Sequence, residues 1–571
     1  MKENDGKSTI ILILPLEIAV NDKKSALRNY EKPLGTDLPV YQFQQNYETL
    51  REPLGIESIA AFLRENGFLV EMVFFDLERP NEQVLINEMK RKNVLFVGFS
   101  VLFDLHLLHA LQFSSLVKRQ TQLPIFFGGA LASFISEDLL YHISWIDSVI
   151  VGEGEQVCLQ LAQALQQRED IRKIPGLCCR DVNGKPTLSS KATKVDLCKL
   201  PPPVRDYHIT AQKKNISISQ AAIYTSRGCP EKCVFCTGNT FTSLTTGKAW
   251  RFRNALDVVD EIEQLISSLS IKYFYICDDN FIGYGEDAIK RIGDIVDELA
   301  KRCIKTRFHC ECRVDVVNDS LLSVLKKGGF VDILLGIEAG VDSMLHRWGK
   351  STTVAQNREA IQCVRKNGLN LKPGFILFDQ YTTLEELEEN LQFIQTMKLN
   401  TPEYVFDLFN PMQCFHGSRW DNVSHKSKYS NTVNINNSDS IYEYATYLCD
   451  KNYEADNEKV RMFWKTISPI LEELGKYMNL EIPKALYEKK NRSARSAEIL
   501  SYINKYSRWR KDIGDVLIEM SLLTVESMKN FQTSRNIERD MYRWYRNKES
   551  SYFEKSMLAD FHSLLTIKGD S

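Results

Sequence analysis

The chain has 571 residues, 43% hydrophobic and 26% charged, too many for one ordinary core and enough for roughly three or four domains. Its 72 lysines and arginines nearly balance 74 aspartates and glutamates, so no global field favours nucleic acid or an anionic membrane surface, and small molecules or peptides are the expected substrates. Fourteen cysteines without a secretory pattern fit a reducing cytoplasm, and no apolar stretch reaches the ~20 residues that a membrane-spanning helix needs.

In the N-terminal third, short apolar runs (Ile10 to Leu14, Leu69 to Phe75, Val94 to Ser100, Leu123 to Phe127, Asp147 to Val151) alternate with helical patterns near 54–66, 81–92, 104–119 and 154–167. The first run reads as a buried strand and not a signal peptide, because no small-residue cleavage site follows in Glu17-Ile18-Ala19-Val20-Asn21-Asp22. Such alternation predicts a parallel, doubly wound sheet, with a ligand beyond the carboxyl ends of the strands. Those ends carry small residues: Ser100, Gly128-Gly129 and Gly152-Glu153-Gly154-Glu155. Glycine there lets backbone approach a ligand closely, although tight turns ask for it as well.

Residues 171–215 read as a linker, with a hairpin turn expected at Asn183-Gly184. The prolines at 201–203 can continue neither a helix nor a central strand and mark a semi-rigid connector. From Ala221 the alternation resumes, with strand-like runs at 221–226, 272–277, 305–311, 331–337, 370–377 and 402–409 separated by helical patterns such as Asp257 to Ser267 and Asp287 to Ala300. Directly after the first run stands Ser226-Arg227-Gly228-Cys229-Pro230-Glu231-Lys232-Cys233-Val234-Phe235-Cys236, a Cys-x3-Cys-x2-Cys pattern. Three clustered thiolates can hold a cubane iron–sulfur cluster and leave one iron open to a non-protein ligand. A structural zinc site normally needs four protein ligands, and the outside candidates His208 and Cys277 lie far along the chain. A thioredoxin-like pair of Cys233 and Cys236 leaves Cys229 unexplained.

Polar residues close the later runs: Cys277-Asp278-Asp279-Asn280-Phe281, Glu311-Cys312-Arg313-Val314-Asp315 and Gly336-Ile337-Glu338-Ala339-Gly340. For each carboxylate the structural alternative is a helix cap or an internal ion pair. Asp379 and Gln380 follow the fifth run, and the sequence leaves open whether they face substrate or cofactor. Beyond 426 amphipathic helical patterns take over, including Asn457 to Tyr477 and Asp512 to Gln532. The aromatics there (Tyr442, Tyr444, Tyr447, Trp464, Trp509, Tyr542, Trp544, Tyr545) read as core before substrate box.

The cysteine spacing, with Phe235 just before the last cysteine, resembles the radical S-adenosylmethionine (SAM) superfamily. The run Pro53-Leu54-Gly55-Ile56-Glu57-Ser58-Ile59-Ala60-Ala61-Phe62-Leu63, then Gly67-Phe68, Asp76, Val97-Gly98-Phe99-Ser100, Gly128-Gly129 and Val151 to Glu155, resembles the cobalamin-binding domain that precedes many such cores, over about residues 8 to 168. Leu335 to Gly340, followed by Leu345 and Lys350, is similar to the same cobalamin-dependent class. The resemblance implies an α/β architecture with a doubly wound, Rossmann-like cobalamin-binding domain (1–170) and a partial (β/α)6 barrel (216–425); the linker (171–215) and a mostly helical C-terminal domain (426–571) are expected from the residue pattern alone. It implies a [4Fe-4S] cluster on Cys229, Cys233 and Cys236, with SAM against Phe235, Asp278, Asp279, Asn280, Arg313 and Glu338. It also implies cobalamin, as methylcobalamin, against Leu54, Gly55, Ser100, Gly128, Gly129, Gly152, Glu153 and Gly154.

Two departures bear on chemistry. The Asp-x-His-x-x-Gly signature that supplies a cobalt-ligating histidine in many cobalamin domains is missing from the loop Pro15-Leu16-Glu17, and His106 and His109 read as helix residues. Gly129-Ala130-Leu131-Ala132 replaces the more usual Gly-Gly-Pro-His. The resemblance implies methyl transfer to an unactivated carbon of a small molecule or peptide, with no obligatory side-chain acid or base and an external one-electron donor of flavodoxin or ferredoxin type. Its rivals are a non-methylating ring contraction, cyclisation or epimerisation with the same cofactors, and a non-catalytic cobalamin or redox sensor. A methylthiotransferase, which carries a second cluster, fits poorly because the first 150 residues contain no cysteine.

Overall fold

A computed structural model describes residues 8–18, 52–216, 218–401, 404–421, 435, 437–449, 455–478, 514–515 and 517–529. The first sheet begins with β1 (Thr9–Leu14), β2 (Leu69–Phe74), β3 (Val94–Ser100), β4 (Ile125–Gly128) and β5 (Ser148–Ile150), all parallel. Its order is β2-β1-β3-β4-β5, continued by β6 (Leu177–Arg180) and β7 (Pro186–Leu188), which pair antiparallel. Helices Leu54–Glu65 and Glu155–Gln167 cover one face, and helices Glu82–Arg91 and Asp104–Thr121 the other. Successive residues of a strand therefore enter different cores: Ile10, Leu12 and Leu14 one, Ile11 and Ile13 the other. This is why β1 and β3 read as unbroken apolar runs, as doubly covered parallel strands do.

The hairpin turn lies at Asn183-Gly184, with Gly184 at φ +81°. Its two strands join the first sheet, so the cobalamin-type domain runs on into the stretch expected to be linker; strand pairing of 177–188 outweighs the polar composition that suggested a spacer. The prolines at 201–203 carry no regular structure.

The second domain holds β8 (Gln220–Ile223), a two-residue antiparallel ladder of β9 (Ser226–Arg227) with β10 (Arg251–Phe252), then β11 (Tyr273–Ile276), β12 (Arg307–Arg313), β13 (Phe330–Glu338) and β14 (Asn370–Phe375). β8, β11, β12, β13 and β14 lie side by side in chain order, all parallel. Five strands are seen among the described residues against six expected. Of the apolar run at 402–409, the described residues 404–409 form turns and a short 3-10 helix, Asp407–Phe409, and Val405, Leu408 and Phe409 join the core without a ladder. Capping boxes at Thr353/Gln356 and Thr383/Glu386 start the helices Val354–Lys366 and Leu384–Thr396 that cover β13 and β14.

On β8, β11 and β14 alternate residues such as Ala222, Tyr275 and Lys372 are half-exposed, while Ile223, Ile276 and Phe375 are buried against helices. The inward face of the open barrel is thus reachable by solvent, unlike the filled interior of a closed eight-stranded barrel.

The C-terminal stretch is no separate domain among the described residues. Helix Ser438–Cys449 lies on helix Asp104–Thr121 of the first domain, with the Tyr444 hydroxyl donating to Asp138, and helix Glu458–Met478 lies on Leu384–Thr396. Leu517, Ile518, Met520, Val525 and Met528 enter the barrel's own core. Tyr442 and Tyr444 are core residues, and Trp464 meets Phe378 edge-on at 5.4 Å. Trp509, Tyr542, Trp544 and Tyr545 lie outside the described residues. No described helix is long and apolar enough to cross a membrane.

A buried ionic cluster pins the connector where the two domains meet. Glu52 Oε1 pairs ionically with Arg205 Nη1 at 2.7 Å and His208 Nδ1 at 2.9 Å, and Arg205 and Arg253 share Glu261. Burial alone would raise the Glu52 carboxyl, but Arg205 and His208 outweigh it and bring it to about 2. Glu57 beside it is pushed well above the usual range by burial and then by the Glu52 charge. Its Oε1 accepts the Tyr207 N–H at 3.0 Å, while Oε2 has no donor, as suits an oxygen carrying the proton. A carboxyl that binds its proton more tightly when folded contributes stability below its unfolded pKa and loses that contribution as pH rises through the folded value. Glu57→Gln mimics the protonated form. The expected result is a melting temperature equal to wild type near pH 5 and a few degrees higher near pH 9; an equal difference at both would remove Glu57 as the titrating group.

Candidate active site

The cysteine loop leaves β9 through Gly228, whose φ is +88°; a β-carbon there would come 2.1 Å from the Ala249 carbonyl oxygen. Only glycine fits this approach. The Gly228 N–H donates to Asp279 Oδ2 at 3.1 Å, tying the loop's entry to the end of β11. Farther on, Val234 N–H donates to the Trp348 carbonyl at 2.9 Å and Val234 carbonyl accepts from Trp420 N–H at 3.0 Å. Trp348 in turn donates its indole N–H to Asp379, which also holds Arg347 at 2.8 Å. Asp379 is fully buried and takes Tyr381 N–H as well, so it braces the back of the cysteine loop. Gln380 bonds Asp456 at 3.2 Å.

Cys233 is buried, Cys229 half-buried and Cys236 exposed. Burial pushes the Cys229 thiol to about 11 and the Cys236 thiol to about 12, and raises Cys233. Cys229 and Cys236 each also feel Asp279 and Cys233. Three thiolates in one loop repel one another, so all three ionise together only against a strong cationic centre, which is what an iron cluster supplies. Gly238 N–H points at Cys236 Sγ at 3.3 Å, a bond that favours the thiolate. No three His, Cys, Asp or Glu side chains among the described residues are gathered so as to hold a metal ion; a cubane binds each thiolate to a different iron and does not need one shared point. The donor set fits an open cubane.

The strand-end residues divide into two groups. Asp278 accepts from Thr225 N–H, Thr225 Oγ1 and Ser226 Oγ at 2.5–2.6 Å, clasping β8 and β9 to β11. Arg313 forks onto Asp315 at 2.8 and 2.9 Å and reaches Glu231 at 3.2 Å, so its planar donors are already matched to protein carboxylates. Both differ from the expected direct contact with SAM, since local partners take their bonding capacity. Asp279 and Cys277, by contrast, keep part of their surface open to solvent, while desolvation by the surrounding protein raises the carboxyl of the one and the thiol of the other.

Asn280 is 2% exposed; its Oδ1 accepts Gly283 N–H at 3.2 Å and its Nδ2 has no partner. Glu338 sits at φ +61°, in the left-handed region, with Oε1 on Lys350 Nζ at 2.5 Å, above the Gly336–Gly374 pair of β13 and β14. A non-glycine residue held there is strained, a condition that gathers at functional sites. Phe235 packs edge-on against Trp348 at 6.2 Å.

In the first domain, Gly55 is the nominated glycine whose missing side chain borders open space, and Gly128 has only an ordinary contact with Ile150. Gly129, Gly152 and Gly154 are explained by protein neighbours: their β-carbons would strike Val101 O at 2.6 Å, Thr245 at 2.7 Å and Ile59 at 2.6 Å. Leu54 packs with Leu197 and Tyr224, across the domain boundary, and Glu153 is bound to Arg251. Ser100 is half-buried at the end of β3. His106 Nδ1 accepts Leu102 N–H at 3.3 Å at the exit of β3, and His109 Nδ1 accepts Leu16 N–H at 3.1 Å in the loop after β1; both are buried in the helix. Gly55 lies in the first turn of helix Leu54–Glu65, which lies on β1 and β2, and such sheets bind ligands beyond the strands' carboxyl ends where the strand order reverses, here between β1 and β3.

Sequence reading named Glu311 but missed Tyr275 and His309, which form an inward polar row with it. Tyr275 stacks on His309 at 4.5 Å and donates its hydroxyl to Glu311, and His309 Nε2 is buried without a partner. The signal was present as period-two polarity in Tyr273, Tyr275 and Cys277, and in His309, Glu311 and Arg313.

Two family models match the chain: B12 binding domain over residues 45–162 and Radical SAM superfamily over 223–394. An uncharacterized methyltransferase of Pyrococcus horikoshii, PH0819, is 25% identical over 370 residues, 62% of this chain and 76% of that protein. The anaerobic magnesium-protoporphyrin IX monomethyl ester cyclase of Rubrivivax gelatinosus is 32% identical over 304 residues, half of this chain and 52% of the cyclase; the chain thus spans about half the length of that relative. Among solved structures, the cobalamin-dependent S-adenosylmethionine radical enzyme OxsB, with aqua-cobalamin and S-adenosylmethionine bound, aligns at TM-score 0.66 and 20% identity over 99% of this chain and 82% of that one. At that identity the likeness is one of fold.

Proposed function

Because the chain belongs to the cobalamin-dependent radical SAM enzymes, joining a B12 binding domain to a radical SAM core, we propose that it is a methyltransferase acting on an unactivated carbon of a small molecule or peptide. When bound, the cluster with SAM supplies a 5′-deoxyadenosyl radical, and the cobalamin supplies a transferable methyl group. The observation that carries the reading is the Cys229, Cys233 and Cys236 loop standing across a domain boundary from a cobalamin-type sheet; the methyltransferase name of the Pyrococcus relative supports it.

The protein's own work is to bind, align and exclude water. Cys229, Cys233 and Cys236 hold the cluster. Asp279 would offer an acceptor to the methionyl ammonium, the unpartnered Asn280 Nδ2 would donate beside it, Glu338 would accept from ribose hydroxyls, and Phe235 would lie against adenine. Asp278 and Arg313 position these groups through Thr225, Ser226 and Asp315. Leu54, Gly55, Ser100 and Gly128 line the cobalamin space. No side-chain acid or base is assigned, and the electron comes from a flavodoxin- or ferredoxin-type donor.

A second reading keeps both cofactors and moves no methyl group; the 32% identity to a cyclase favours it. The reconstituted chain, assayed anaerobically with SAM, hydroxocobalamin, a strong reductant and candidate substrates, separates them. 5′-Deoxyadenosine together with S-adenosylhomocysteine is the expected outcome. Deoxyadenosine with a substrate-derived product of unchanged carbon count and no homocysteine product would establish the second reading, and neither nucleoside from cluster-loaded protein would overturn both.

A further inference from the structure

The turn Gly152–Glu155, at the carboxyl end of the first sheet, is held by the barrel. Glu155 is 2% exposed, and its Oε1 accepts from Ser58 Oγ at 2.7 Å and from Arg227 Nη2 at 2.8 Å. The same Arg227 nitrogen lies 3.2 Å from Ser58 Oγ, so one guanidinium touches both the β5 turn and the first turns of helix Leu54–Glu65. The guanidinium lies 4.4 Å from the Tyr224 ring centroid, which fixes its plane. Two residues earlier in the turn, Glu153 binds Arg251, and Arg251 stands directly opposite Arg227 in the β9–β10 ladder. Two carboxylates two residues apart in one domain thus meet two cross-strand arginines in the other.

Arg227 is also the second residue before Cys229. Its backbone leads through Gly228 into the cysteine loop, while its side chain reaches the segments that border Gly55. We propose that Arg227 is a positioning residue for cobalamin: a barrel side chain that sets the β5 turn and the start of helix Leu54–Glu65 in register with the cysteine loop. This rests on the assignment of cobalamin to the first domain. Without the guanidinium, Glu155 is a buried carboxylate with no counter-charge, a state that costs far more than the net worth of the pair. The turn must then move to reach water, and the start of helix Leu54–Glu65, bonded to the same carboxylate through Ser58, moves with it and carries Gly55 along.

The test is the dissociation constant for hydroxocobalamin, titrated by absorbance into the iron-reconstituted 571-residue chain, with iron content and melting temperature measured alongside. Arg227→Ala is expected to weaken hydroxocobalamin about tenfold or more, although the substituted residue lies in the other domain. The double variant Arg227→Ala with Glu155→Gln, which leaves no unpaired buried charge, is expected to recover most of that loss. Glu155→Gln alone keeps an acceptor for Ser58 and is expected to weaken binding about threefold, a readout that survives if Arg227→Ala folds poorly. Equal affinity in Arg227→Ala and wild type would overturn the role of Arg227, as would a loss that the double variant deepens. A wild type that binds no hydroxocobalamin would instead overturn the cobalamin assignment beneath it.

Discussion

Cys233→Ala is expected to abolish SAM cleavage, lowering 5′-deoxyadenosine formation on the order of a thousandfold or more, with most of the iron and sulfide lost from the anaerobically reconstituted protein. Cys233 is the most buried of the three thiols, and the next residue, Val234, is bonded in both directions, to the Trp348 carbonyl and the Trp420 amide. The loop therefore cannot bring another ligand to the vacant iron by rearranging. Cys363→Ala is the matched control: that thiol lies on helix Val354–Lys366 against Asp319, remote in its contacts from the cysteine loop, and the change is expected to leave iron content and cleavage unaltered. Full iron content and cleavage in Cys233→Ala would reject the cluster assignment.

The features legible in the sequence are those that local chemistry determines. A Cys-x3-Cys-x2-Cys loop following an apolar run carries its own explanation, and β1 to β5 announce themselves because parallel strands buried on both faces must be continuously apolar. What escaped reading depends on partners distant in sequence. Asp278 is separated from Thr225 by 53 residues, and Arg227 from Glu155 by 72; nothing in either neighbourhood says that a carboxylate is already matched. Asp278 and Arg313 accordingly looked like ligand contacts, and Glu153 like a cobalamin contact, until their bonds were located.

Glycine was ambiguous for the same reason. Gly152 and Gly154 are required by Thr245 and Ile59, not by the turn alone. The sixth barrel run failed differently: residues 404–409 are apolar because Val405, Leu408 and Phe409 fill core, and apolarity without alternation does not distinguish a strand from a packed turn.

Gly228→Ala is expected to remove the cluster as completely as loss of a cysteine, with all three thiols still present. The φ of +88° costs an alanine about 1–2 kcal/mol by itself. That strain alone would leave a largely loaded protein. The decisive term is contact: the new methyl would stand 2.1 Å from the Ala249 carbonyl oxygen, and the neighbour is backbone, not a flexible side-chain tip. Ala249 directly precedes β10, whose Arg251 is paired with Arg227 and bound to Glu153, so yielding at Ala249 would break the ladder from which the cysteine loop springs. Yielding at Gly228 instead would withdraw the N–H that Asp279 accepts and swing Cys229 away from Cys233 and Cys236. Gly67→Ala isolates the backbone term, since Gly67 has φ +86° and nothing within 4 Å of its would-be β-carbon. The expected pair of results is near-normal iron content with a modestly lowered melting temperature for Gly67→Ala, and cluster-free protein with no deoxyadenosine for Gly228→Ala. Equal iron in the two variants would show that the loop reaches its cluster-binding shape by a path that does not pass under Ala249.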